Sequence, residues 1–111
     1  MARMKEISLK PYPGRVLFCR EKAEFERAYK RITGKPHTIE AGVAGRTQEF
    51  LANRHKPWTF LVWAPRSDIM AHEFSHVVLQ VFHHIDSDPR DGHGEPFCYL
   101  LGHLMKEAGA K

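Results

Sequence analysis

Trp58-Thr59-Phe60-Leu61-Val62-Trp63-Ala64-Pro65-Arg66-Ser67-Asp68-Ile69-Met70-Ala71-His72-Glu73-Phe74-Ser75-His76-Val77-Val78 changes character midway, and that change decides the fold class. Trp58 to Trp63 is rich in strand formers and is bounded by Pro57 and Pro65. Prolines so placed fit an edge strand better than a central one. Ser67 and Asp68 then offer an N-cap and a negative first turn. From there Met70, Phe74, Val77, Val78, Val81 and Ile85 repeat at helical spacing, predicting a long helix that ends near Ile85.

Working outward, residues 1–14 end in Pro11-Tyr12-Pro13-Gly14 and read as an N-terminal arm running into a turn. Val16-Leu17-Phe18-Cys19 predicts a short buried strand. Ala23, Phe25, Ala28, Tyr29 and Ile32 follow at near-helical spacing, stopped by Gly34 and Pro36. Thr38 to Phe50, interrupted by Gly42 and Gly45, predicts two short strands or one irregular hairpin. Beyond the long helix, Asp86 to Gly94 is a polar loop, and a last helix starts near Glu95-Pro96 and runs to about Ala108. The order is strand, helix, strands, helix, helix: an α+β domain with a small, mostly antiparallel sheet and a C-terminal helix.

With 111 residues the chain has room for one domain, 1–111, and a modest core that a bound metal could help stabilise. Met1 to Lys10 contains no apolar run of signal-peptide length, and Phe60 to Pro65 is far too short to span a bilayer. Cys19 and Cys98, without a secretion signal, read as reduced thiols in a cytoplasmic protein with no membrane association. The net charge of +4 and pI of about 9.3 admit an acidic or nucleic-acid partner. Lys and Arg are scattered along the sequence, however, and no nucleic-acid motif appears.

His72-Glu73-Phe74-Ser75-His76 matches HExxH. Residues four apart on a helix share a face, so two imidazoles can reach one zinc ion. Glu73 projects beside them and can take a proton from metal-bound water as general base. A catalytic zinc site uses a third protein ligand and keeps one position open. Glu95, 19 residues after His76 at the start of the last helix, is the leading candidate, with His93 its rival. His83 lies roughly 10 Å along the axis from His76 and cannot bind the same ion. His84 points elsewhere, and Asp86, Asp88 and Asp91 are weaker candidates.

HExxH followed by Glu95-Pro96-Phe97-Cys98-Tyr99-Leu100-Leu101-Gly102 resembles the gluzincin arrangement. More closely, the chain is similar to short metallopeptidases of phage or prophage type, which pair HExxH with Glu-Pro-x-x-Tyr-Leu. In those proteins a strand ends in a turn like Trp63-Ala64-Pro65 before the motif. The resemblance covers roughly 42–104. It implies a minimal zincin-like domain, Zn2+ held by His72, His76 and Glu95, Glu73 as base, and hydrolysis of a peptide or protein substrate. If phage-encoded, the protein would work in the bacterial host's cytoplasm. The chain departs from larger gluzincins in lacking a second, substrate-binding domain.

Tyr99 and His103, four and eight residues after Glu95, are candidate catalytic donors to the oxyanion, with surface or core roles as the alternative. Thr59 to Trp63 could pair with an extended peptide, with Trp58 or Trp63 lining a subsite. Cys98, one turn after Glu95, stands near the expected metal or in the core. Two further functions stay open: a SprT-like DNA-associated protease using a third histidine, and a non-catalytic zinc-containing phage structural or regulatory protein. The oligomeric state is not legible in the sequence.

Overall fold

The computed structural model describes residues 4–110; the first residues of the expected arm, 1–3, lie outside the described residues, as does 111. Four strands form one sheet in the order β1-β2-β4-β3: β1 Lys5–Ser8, β2 Arg15–Cys19, β3 Arg46–Phe50 and β4 Thr59–Trp63. β1 runs antiparallel to β2 and β3 antiparallel to β4, while the central β2 and β4 are parallel. The helices are α1 Lys22–Thr33, α2 Ser67–His84 and α3 Glu95–Glu107, with a short 3-10 turn at Asp91–Gly94. The chain is thus an α+β domain whose small, mostly antiparallel sheet supports the HExxH helix and a C-terminal helix.

β4 corrects one expectation. Thr59–Trp63 is central, buried at all five positions and paired on both sides. Pro57 and Pro65 fall just outside the strand and remove no ladder hydrogen bond, so they do not force it to the edge. The continuous apolar runs of β2 and β4 have a simple cause: helices cover both sheet faces. Val16, Phe18, Phe60 and Val62 meet α2 and α3; Leu17, Cys19, Leu61 and Trp63 meet α1. The edge strands are β1 and β3; β3 is half-buried throughout and polar in three of its five residues, Thr47, Gln48 and Glu49, besides the cationic Arg46.

Other differences are local. Lys5–Ser8, read as part of an arm, is a strand that buries only Ile7, so it carries almost no sequence signal. The 38–50 segment contributes one strand, β3, rather than a pair. Arg66, with extended backbone, is the N-cap of α2, and Ser67 is its first residue. α2 is fixed by its apolar stripe: Met70, Phe74, Val77, Val78 and Val81 are fully buried. Phe74 packs 5.4 Å from Phe18 on β2. Such a site typically costs about 3–5 kcal/mol when truncated to Ala. No helix among the described residues is long and apolar enough to cross a membrane.

Candidate metal centre

α2 turns its apolar stripe to the sheet and leaves His72 and His76 exposed on the opposite side. Their Nε2 atoms stand 3.3 Å apart, with the rings edge-on at 83°. Two nitrogens bound tetrahedrally at about 2.0–2.1 Å would be separated by about 3.3–3.4 Å, so the pair fits two positions of a zinc shell. An N–H···N bond between neutral imidazoles holds the same spacing without an ion.

Glu73 leans the other way, toward β3, and is only 7% exposed. Register places Thr47 and Glu49 opposite Val62 and Phe60, on the α2 side of the sheet. Thr47 Oγ1 donates to Glu73 Oε1 at 2.7 Å and lies 3.3 Å from the Glu73 carbonyl oxygen. The close approach of β3 and α2 requires glycine at 45. A Cβ there would meet Ile69 Cγ2 at 2.5 Å and the Glu73 side chain at 3.1 Å. The result is a cleft of about 280 Å3 lined by Thr47, Glu49, Phe60, Glu73, His76 and Gln80. It opens beside β3, whose outer edge pairs with no other strand of the sheet.

The structure pairs His72 with His76 and sets His76 and Glu73 on one cleft. It does not bring a third ligand to the two histidines: no group of three His, Cys, Asp or Glu converges on an ion-sized site among the described residues. Glu95 is exposed as the first residue of α3, and His93 is exposed in the preceding turn with φ of 59°. His84 packs on Trp58 with ring centroids 4.4 Å apart and tilted by 37°, and Asp88 is held by Arg90 at 2.8 Å. That guanidinium's hydrogen bond keeps the Asp88 carboxyl down at about 2.

Tyr99 and His103 lie at the other side of the molecule. His103 Nε2 is 3.1 Å from the Ser8 carbonyl on β1, and Tyr99 lines a groove with Lys10 and Tyr12. β1 and β3 are three strand spacings apart, about 14 Å, which separates His103 from Glu73. Both tryptophans belong to the core rather than to a subsite. Trp58 is 4% exposed and donates to Glu49 Oε2 at 2.7 Å; Trp63 is 7% exposed, against α1. Cys98 is exposed and free; Cys19 is buried and free.

The sequence reading passed over Thr47, Glu49, Gly45 and Gln80. Only Gln80 had a signal, one turn after His76 on the same helix. The others join the site through a strand register that no local pattern specifies. Compared with known protein families, with curated proteins and with solved structures, the chain matches none.

Proposed function

We propose that this chain is a zinc-dependent metallopeptidase acting in the cytoplasm on a peptide or protein substrate. One observation carries the reading: the His72–His76 pair at metal-ligand spacing, with the buried carboxylate of Glu73 beside it in a cleft along a free strand edge. His72 and His76 would hold the metal, with Glu95 the proposed third ligand and His93 its alternative. Bound there, zinc would supply Lewis acidity and a water acidified toward neutral pH.

The chain's own residues supply the rest. Glu73 accepts the proton of the attacking water, and Thr47 fixes that carboxylate by donating to one oxygen. The second oxygen stays available to the cleft. β3, rather than β4, offers backbone groups to an extended substrate. Gln80 carries a cleft amide that can donate to the charge developing on the scissile carbonyl.

Elemental analysis of the purified protein beside His76→Ala, Glu95→Ala and His93→Ala tests the metal set. The expected result is about one zinc per chain, lost in His76→Ala and in one of the other two. Glu73→Gln should keep the zinc and lower peptide hydrolysis by about 10²-fold or more. A wild type that takes up no metal when supplied with zinc would sink the reading.

A further inference from the structure

Positive charge that is scattered along the sequence is gathered by the fold. Segments 27–37 and 50–57 hold six of the 17 Lys and Arg residues and none of the 13 Asp and Glu. The two segments meet: Lys56 Nζ donates to the Ile32 carbonyl at 3.1 Å, and Phe50 packs 5.7 Å from Tyr29. Between them runs a groove on the α1 side of the sheet, built of two adjoining hollows of about 510 and 390 Å3. Arg15 and Lys56 line both hollows, Arg31 and His55 the first, and Leu17 and Ile32 form the floor. Glu6, the one carboxylate in the larger hollow, is already paired with Arg15 at 3.1 Å. The Arg31 guanidinium makes no ion pair or hydrogen bond among the described residues.

Two features select the occupant. The nearby aromatic faces are engaged, Tyr29 stacking on His37 at 4.5 Å and Phe50 packing on Tyr29, so bases would find no free platform of the kind single-stranded nucleic acid uses. The groove and the candidate cleft lie on opposite faces of the sheet and both border the edge strand β3, where Glu49 lines each. From Thr47 to Phe50 is about 10 Å of strand, three residues of an extended partner.

We propose that this groove docks an acidic, extended stretch of polypeptide whose carboxylates face Arg31 and Lys56. The inference rests on the peptidase reading for the identity of that polypeptide, the substrate. It deepens the reading by naming a substrate class: chains with acidic residues a few positions from the bond cut.

The test uses full-length Glu73→Gln protein and fluorescence anisotropy. The probes are a short labelled peptide of alternating Glu and Val, its Lys-for-Glu counterpart, and an oligothymidylate of equal charge. The Glu peptide should bind, weaken with salt, and outcompete the oligothymidylate, while the Lys peptide does not bind. Adding Arg31→Glu should weaken binding by about tenfold, with an unchanged melting temperature. Arg31→Lys should retain it. Unchanged affinity in the charge-reversed protein overturns the proposal, and so does tighter binding of the oligothymidylate, which would make this a nucleic-acid groove. If the peptide docks but zinc-loaded wild type leaves it uncut, docking stands and the peptidase reading falls.

Discussion

Thr47→Val replaces the hydroxyl that holds Glu73 with a methyl group of the same shape. The bond removed is short, 2.7 Å, and its acceptor is a carboxylate on a side chain only 7% exposed. Hydrogen bonds to charged groups contribute about 1.5–3 kcal/mol. Thr47 is itself half-buried, so water replaces part of the lost donor and the lower end of that range applies. A loss of about 1.5 kcal/mol in a domain of this size lowers the melting temperature by about 6 °C.

The assay is thermal unfolding with a chelator present, so that metal binding plays no part. Thr47→Ser, which restores the hydroxyl, should recover most of the loss. In a Glu73→Gln background the acceptor is a neutral amide, and the same substitution should cost about half as much. That difference separates a specific bond to the carboxylate from a general packing defect in β3. A Thr47→Val protein melting within about 1 °C of wild type would refute the reasoning, as would an equal cost in both backgrounds.

Other outcomes are expected. Gly45→Ala should destabilise by about 1–3 kcal/mol, because its Cβ would sit 2.5 Å from Ile69 Cγ2. Combining it with Ile69→Ala should return part of that in chemical denaturation; a fully stable Gly45→Ala would show that β3 can move away from α2. Burial, aided by the nearby Glu24 charge, pushes the Cys19 thiol up to about 12. Maleimide at pH about 8 should therefore label the exposed Cys98 alone until the protein is unfolded. Two native labels at equal rates would contradict this. Asp88, held at about 2 by Arg90 against an ordinary 3.8, should titrate higher in Arg90→Ala when followed by NMR, though the backbone N–H of residue 90 still donates to its Oδ1 at 2.9 Å. Its folded pKa is depressed, so its stabilising contribution is present above pH 3.8 and lost as pH falls toward 2; an unmoved titration would remove Arg90 as the cause.

The helices were readable because each carries its own periodic stripe. Of the stripe of α2, Met70, Phe74, Val77, Val78 and Val81 are buried, while Ile85 falls just past the helix end and is 40% exposed; Phe82 is buried in addition. α3 begins at Glu95, as its Pro96 predicts, and Gly34 closes α1 with φ of 75°. Strand order was harder, because pairing is a relation between distant segments. β2 and β4 pair in parallel through Arg15 and Thr59, Val16 and Phe60, across an intervening helix and edge strand. The apolar continuity of Phe60 to Trp63 was the better guide to a central place than the flanking prolines, which lie outside the hydrogen-bonded ladder.

The site divides along the same line. His72 and His76 come together through α2 alone, since a helix fixes neighbours one turn apart wherever it packs. What Glu73 touches depends on which strand flanks the sheet, and that strand is β3 with Thr47. Placing β3 outermost transfers the free backbone edge from Thr59–Trp63 to Arg46–Phe50, beside the cleft rather than within the core. The same placement sets the cleft and the basic groove on the two faces of one edge strand, with Glu49 bordering both. Spacing along α3 could not locate Tyr99 and His103 relative to Glu73. Their face is set by how α3 docks on β1 and the 9–14 turn, where His103 meets Ser8. The spacing of side chains within one helix was therefore legible from sequence, and contacts requiring two elements to meet needed the sheet order first.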